Sequence, residues 1–298
     1  MFRPWRSFPL MVSAGLVLGL ATGGYPAYSR EISQLALLVA MTFSLTEISF
    51  AGISPRAEAR GILLALGMSY AVLSGLLLVF AAFAGDSGIH DGWVLMAAVP
   101  PAVAVIPITS LLKGDVRRSL ISSAVLYLLG LALVPGLTLV FAGRSVPPWD
   151  LFLQTLLLIG LPLVLSRPLR RVARIDEVRP TAVGLSFFFL VLAIAGSTRA
   201  ILFTNPQVLA PLAALSFVRT FGLGIVLFAV AGAVGASRSD QIAATTFSSF
   251  KNLGLTVVLA FAFFGPEATL PSIVSLVFEI LWIAALPLVF LRRAPPAL

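Results

Sequence analysis

Long apolar segments follow one another along almost the whole chain, and they constrain the fold more than any other feature. A helix needs about 20 mostly apolar residues to cross the hydrocarbon core of a bilayer. The sequence therefore predicts an all-α polytopic membrane protein with ten transmembrane helices. The predicted spans are residues 8–26, 32–53, 60–84, 92–112, 118–142, 150–169, 181–199, 207–236, 241–264 and 268–291.

The composition agrees with a membrane protein. Hydrophobic residues make up 59% of the 298 residues and charged residues only 11%, against about 25% in soluble domains. The net charge of +8 does not indicate nucleic acid binding, because the basic residues lie in short loops between apolar runs. With no Cys and a single His, we expect no metal centre and no cofactor. The sequence also shows no pairing of a nucleophile with a base, which argues against a membrane enzyme.

The basic residues of the loops predict the orientation, because cytoplasmic loops carry an excess of Lys and Arg. Fifteen of the 20 Lys and Arg residues lie in one set of alternate loops, and the other set holds only Arg30, Arg144 and Arg199. We therefore expect the Arg-rich loops and both termini on the cytoplasmic side of a bacterial inner membrane. The two remaining cations, Arg219 and Lys251, fall inside predicted helices.

A polar, Pro-rich segment near the midpoint, GRSVPPWD at residues 143–150, divides the chain into two halves. Residues 1–149 and residues 150–298 then contain five predicted helices each. Because five is an odd number, the second half must enter the membrane upside down relative to the first. This is the inverted-repeat arrangement of many secondary transporters.

The fourth predicted helix of each half carries residues that interrupt a helix. Pro100, Pro101 and Pro107 lie in LMAAVPPAVAVIPITSLL, and proline removes a backbone hydrogen bond. The stretch AATTFSSFKNLGLTVVLA has a polar patch that includes Gly254. Interrupted helices in corresponding positions of two halves are the best sequence indication of a transport site. We therefore expect the site where helices 4 and 9 meet.

Three ionisable residues fall near the middle of predicted helices, namely Arg219, Lys251 and Glu279. A charge at this depth costs at least about 2.5–3.5 kcal/mol, so each one is a functional hypothesis. Glu279 can pair with either cation, and one positive charge is left over in both cases. The excess charge suits an anionic substrate or a lysine that releases and regains a proton. A purely structural ionic network is the alternative.

Two segments resemble the bile acid:sodium symporter family. PPAVAVIPITSLLKGDVRRSLISS is similar to the family's fourth-helix region, with Thr109 and Ser119 in place, and FKNLGLTVVLAFAFFGPEATLPSIVSLVFE is similar to its ninth and tenth helices, with Asn252 and Gly254 in place. The resemblance implies a panel of helices 1, 2, 6 and 7 and a core of helices 3–5 and 8–10, in which the discontinuous helices 4 and 9 cross. It also implies transport of small organic anions across the lipid bilayer by alternating access, coupled to sodium.

Most of the positions to which the resemblance assigns sodium binding are altered, while its helix 5 ligands fall on Ser119 and Ser123, which could still serve. The family's Ser-Asn pair on helix 4 falls on Val105 and Ile106, its acidic residue on helix 9 falls on Phe247, and its glutamine falls on Lys251. We therefore predict a sodium-independent or proton-coupled transporter in which Lys251 takes the place of a sodium ion. A sodium-coupled symporter and a carrier similar to auxin efflux carriers are the alternatives. The candidate residues for substrate binding or ion coupling are Lys251, Glu279, Arg219, Ser248, Ser249, Asn252, Thr109, Ser119 and Ser123.

Overall fold

The computed structural model describes residues 7–48, 55–143, 146–204 and 206–290. These residues form twelve helices. The predicted residues 49–53 and 291 lie outside the described ranges. The helices are α1 (Phe8–Thr22), α2 (29–47), α3 (55–82), α4 (Ser87–Ala98), α5 (Val105–Leu111), α6 (Val116–Phe141), α7 (Pro148–Leu169), α8 (Ile175–Thr204), α9 (206–233), α10 (Arg238–Ser249), α11 (Leu253–Phe263) and α12 (Glu267–Phe290).

The chain is a polytopic membrane protein. Within the described ranges, six helices are long and apolar enough to cross a membrane, namely α3, α6, α7, α8, α9 and α12. The helices α1 and α11 are apolar but shorter. The predicted fourth and ninth spans each consist of two helices, α4 with α5 and α10 with α11, separated by a short unwound segment.

Local sequence explains where the interrupted helices begin and end. The helix α4 begins at Ser87, five residues before the predicted start at residue 92, because the Asp86 carboxylate caps it by accepting from the backbone N–H of Ile89 at 3.0 Å. The helix α11 begins after Asn252, whose side-chain oxygen accepts from the N–H of Leu255 at 3.1 Å.

Two of the predicted helix-breaking residues lie inside helices. Pro107 belongs to the first turn of α5 and Gly254 to the first turn of α11. A missing N–H costs little in a first turn, where that group has no intrahelical partner. At Gly254, a Cβ would lie 3.0 Å from the ring of Phe187, so the glycine permits close approach between α11 and α8. Pro100 and Pro101 are the predicted breakers that lie in an unwound segment.

The helices pack in two groups. In the first group α8 packs against α1 and α2, and α2 packs against α7. In the second group α3 packs against α4 and α6, α9 packs against α10 and α12, and α11 lies against α4 and α12. Contacts of α6 with α7 and of α11 with α2 join the groups.

Among the described residues, three helices contain π-helical turns, at Gly67–Leu73 in α3, Leu156–Gly160 in α7 and Val218–Gly222 in α9. Such turns open the regular hydrogen-bond ladder and are frequent at functional sites. The turn in α3 contains Tyr70 and the turn in α9 contains Arg219, and both side chains reach buried charges near the interrupted helices.

The contact between α8 and the turn before α2 gives a first prediction. We expect Gly196→Ala to destabilise the protein, because a Cβ at residue 196 would lie 2.3 Å from the Cα of Gly24. Overpacking of this kind costs about 1–3 kcal/mol. Gly136→Ala in α6 is the matched control, since the space around Gly136 is open. The measurement is the thermal unfolding midpoint in one detergent, and equal midpoints for the two variants would contradict the described contact.

Candidate functional site

The two unwound segments cross each other through backbone hydrogen bonds. Pro101 and Lys251 form an isolated antiparallel bridge. The N–H of Ala102 donates to the carbonyl of Phe250 at 3.4 Å, and the N–H of Asn252 donates to the carbonyl of Pro100 at 3.0 Å. Where a helix is interrupted, backbone N–H and C=O groups lose their intrahelical partners, and buried groups of this kind need other partners. The bonds between the two segments supply them.

The Lys251 ammonium lies at the end of α4 and is completely buried. Its Nζ donates to the carbonyls of Ala97 at 3.1 Å and Val99 at 2.9 Å, and to the hydroxyl of Ser74 at 3.0 Å. The ring of Tyr70 lies 4.2 Å from Nζ, in the geometry of a cation–π contact. Carbonyls at a helix C-terminus have no intrahelical donor and carry partial negative charge. The lysine therefore supplies hydrogen-bond donors to these carbonyls and a positive charge to this end of the helix.

Glu279 pairs with Arg219 rather than with the Lys251 ammonium, which decides between the two pairings that the sequence leaves open. Arg219 Nη2 lies 2.6 Å from Glu279 Oε1, and Arg219 Nε donates to Ser275 at 3.2 Å. The same carboxylate oxygen accepts from the backbone N–H of Lys251 at 3.3 Å. The three ionisable residues thus form one connected cluster, in which the hydrogen-bond acceptors of the Lys251 ammonium, among the described residues, are neutral oxygens.

A cavity of about 430 Å³ lies between the two groups of helices. Its lining includes Phe8, Met41 and Phe187 from the first group and residues of the crossing from the second. Most of the lining side chains are apolar. Of the residues that the sequence singles out, those that line the cavity are Pro107, Lys251, Asn252, Gly254 and Glu279.

Asn252, which lines this cavity, is held by three side-chain hydrogen bonds. Its amide nitrogen donates to the Tyr127 hydroxyl at 2.9 Å and to the Met41 sulfur at 3.3 Å, while its amide oxygen caps α11. These bonds tie the crossing to α6 and α2, so Asn252 links both groups of helices.

The predicted serines and threonine lie outside the described cavity lining. The Thr109 hydroxyl donates to the carbonyl of Val105 at 2.8 Å and lies 3.2 Å from the Ser119 hydroxyl. The Ser248 hydroxyl donates to the carbonyl of Thr245 at 3.2 Å. The hydroxyls of Ser123 and Ser249 are buried without a hydrogen-bond partner among the described residues.

Three of the positions where the resemblance would place sodium ligands are apolar and packed, whereas Ser119 and Ser123 at the helix 5 positions are buried polar residues. Val105 and Phe247 belong to one buried apolar cluster, and Ile106 belongs to another. Sodium prefers oxygen ligands, as hard cations do. These three side chains offer none.

Three residues that sequence reasoning did not single out complete the site. Tyr70 and Ser74 hold the Lys251 ammonium, and Tyr127 holds Asn252. The spacing of four between Tyr70 and Ser74 places polar groups on one face of a hydrophobic helix. This spacing is the one signal in the sequence that could have indicated them.

Buried charges lie at the crossing of two interrupted helices, and a cavity lies beside them between two groups of helices. These features define the class of a polytopic membrane transporter. Residues 38–288 match the SBF-like CPA transporter family (DUF4137). Because the match covers most of the chain, the chain belongs to this family, which is related to the bile acid:sodium symporter family. It is a membrane transporter and not an enzyme. No curated protein matches the chain at the level of sequence.

The buried ion pair gives a second prediction. Glu279→Met leaves the Arg219 guanidinium buried without its counter-ion, which we expect to destabilise the protein by about 3–5 kcal/mol. The double variant Arg219→Met with Glu279→Met should recover much of this loss. The measurement is a double-mutant cycle on unfolding free energies in detergent.

The pair Glu58–Arg117 is the control for this cycle, because it is longer, at 3.8 Å, and Arg117 is 73% exposed. Its coupling should be about 0–1 kcal/mol. Additive losses at Arg219 and Glu279 would contradict a direct, buried ion pair.

Proposed function

We propose that the protein is a secondary transporter of an organic anion that works by alternating access without sodium, with the Lys251 ammonium as a built-in cation. The observation that carries this proposal is the ring of oxygens from Ser74, Ala97 and Val99 around Lys251 Nζ. Carbonyl and hydroxyl oxygens at 2.9–3.1 Å from a positive centre are the environment that a bound monovalent cation would otherwise occupy.

The hydrogen bonding of the ammonium favours a fixed charge over a proton carrier. An ammonium has three N–H donors, and all three have acceptors. A neutral amine would keep two N–H donors for the Ala97 and Val99 carbonyls but would lose the third, which Ser74 accepts while it donates to the Ala97 carbonyl at 2.6 Å. The charged form is the one that uses all three hydrogen-bond partners, and in this proposal it supplies a positive potential beside the cavity for an anionic substrate.

The packing supports a two-domain mechanism. We propose that α1, α2, α7 and α8 form the panel (helices 1, 2, 6 and 7) and that α3–α6 and α9–α12 form the core (helices 3–5 and 8–10). In this scheme the chain has ten spans in two inverted repeats, residues 1–149 and 150–298. The π-helical turns of α3 and α9 then occupy corresponding helices of the two repeats, as do the interruptions of helices 4 and 9.

We propose that this conformation is open towards the Arg-rich loops. The lining of the cavity includes Glu47, Leu111 and Arg179 at the helix ends that adjoin the Arg-rich loops. We propose that these loops are cytoplasmic by the positive-inside rule, in a bacterial inner membrane with both termini on the same side. The described conformation is then open to the cytoplasm.

Transport in proteoliposomes tests this proposal. The probe is radiolabelled taurocholate, which joins a bulky apolar body to a permanent negative charge. We expect wild-type uptake to follow the membrane potential and to be unaffected by sodium or proton gradients, because the substrate then carries the only moving charge. Lys251→Met should lower the uptake rate at least tenfold. Lys113→Met is the matched control, because it changes the chain's other lysine, which lies in a loop. This variant should retain uptake.

Other outcomes would contradict specific parts of the proposal. Uptake driven by sodium in the wild type would show that a sodium site exists despite Lys251. Uptake driven by protons and lost in Lys251→Met would favour the proton carrier over the fixed charge. Absence of anion uptake under all gradients would contradict the assigned substrate charge.

A further inference from the structure

A second, much smaller cavity of about 10 Å³ adjoins the first one. Four residues line both cavities, namely Phe187, Leu253, Gly254 and Leu276. The two cavities are therefore neighbours, and these four residues form the barrier between them.

Three helices line the two cavities in the same order. On α8, Val183 lines the first cavity, and Ile194, which is further from the Arg-rich loop before α8, lines the second. On α12, Ile280 lines the first cavity and Ile273 the second, again further from the Arg-rich end. On α11, Val257 lines the second cavity alone. The second cavity thus extends the first one along the seam between the two helix groups, away from the Arg-rich loops.

The second cavity is collapsed and apolar. Every residue that lines it is apolar, and Ile194, Val257 and Ile273 are between 1% and 6% exposed. A cavity holds a water molecule only if it offers roughly 10–15 Å³ and two to four polar partners. No lining side chain supplies such a partner. A narrow apolar seam of this kind blocks ions and polar solutes, because water does not fill it.

Phe187 is the barrier residue that comes from the first helix group, whereas Leu253, Gly254 and Leu276 belong to the second. Its ring packs edge to face on the ring of Phe8, with 4.9 Å between the centroids. On its other side the ring lies against Gly254, where a Cβ would be 3.0 Å away. The barrier is therefore an aromatic ring of one helix group that closes on the other group, and it opens when the groups separate at this point.

We infer that Phe187 is the gate of the transport route and that the second cavity is the collapsed far half of this route. The far half runs between α8 on one side and α11 and α12 on the other. This inference rests on the proposed function, because a gate acts only in a protein that moves a solute between the two sides of the membrane. When Phe187 moves away from Leu253 and Leu276, the seam widens towards the membrane face opposite the Arg-rich loops.

Thiol labelling tests the inference directly, because the chain contains no cysteine. Val183→Cys places a thiol at the first cavity, and Ile194→Cys places one at the second. The reagent is a membrane-impermeant sulfonate methanethiosulfonate, added to right-side-out or to inverted vesicles. The orientation in which Val183→Cys reacts identifies the side on which the first cavity opens. From that side, Ile194→Cys should react at least tenfold more slowly than Val183→Cys.

Phe187→Ala then opens the barrier. Because loss of the ring joins the two cavities, we expect the Ile194→Cys reaction from the same side to become at least tenfold faster, with the Val183→Cys rate unchanged. Phe189→Ala is the matched control, since Phe189 is on the same helix, is 45% exposed and lines neither cavity. It should change the Ile194→Cys rate less than twofold.

A second variant keeps the inference testable if Phe187→Ala disturbs the fold. Leu276→Ala opens the same barrier from α12 and should also accelerate the Ile194→Cys reaction several-fold. Equal rates for the two thiols without a gate variant, an Ile194→Cys rate that neither variant raises, or an equal rise at both thiols would overturn the inference. Labelling needs no transported solute, so it is independent of the uptake test. If taurocholate uptake by the wild type persists in those cases, the proposed function stands and only the gate fails.

Discussion

The bond between the Lys251 ammonium and the end of α4 is the interaction on which the rest of this structure depends. Two helices that stop within the apolar interior leave carbonyls and N–H groups without partners, and no water is available to a fully buried segment. The crossing pairs some of these groups with each other. Lys251 pairs with the carbonyls of Ala97 and Val99 that remain. A covalently attached cation does this without being bound or released in each cycle.

The electrostatics of the core follow from that arrangement. Glu279 neutralises Arg219 and accepts the Lys251 backbone N–H, so one carboxylate joins both cations. The π-helical turns of α3 and α9 contain Tyr70 and Arg219, which contact this cluster from the first and the second half of the chain. Because removing one partner of a buried pair is far more costly than removing both, the cluster holds α3, α4, α9 and α12 together. A cluster that holds these helices together suits the proposed movement of one helix group against the other.

The sequence predicts the helical segments well, because they depend on local properties, while the candidate site residues stay a prediction. Length and apolarity indicate the helical segments, prolines indicate the first interruption, and charges at bilayer depth indicate Arg219, Lys251 and Glu279. The choice of Arg219 as the partner of Glu279 depends on how three helices pack, which local pattern does not determine. Sequence reasoning does not single out Tyr70 and Tyr127, because a tyrosine in an apolar helix does not by itself indicate a functional site. Gly254, which the sequence places at the interruption, lies in the first turn of α11, where a Cβ would be 3.0 Å from the ring of Phe187.

The most direct test of the central claim is the thermal unfolding midpoint of the wild-type protein in sodium chloride and in N-methylglucamine chloride at equal ionic strength. An ion that binds the folded state raises its stability by mass action. If the Lys251 ammonium occupies the cation position at the end of α4, the midpoints should be equal at every sodium concentration. A midpoint that rises with sodium concentration and saturates would contradict the account, because it would show a sodium site in the folded protein beside the lysine.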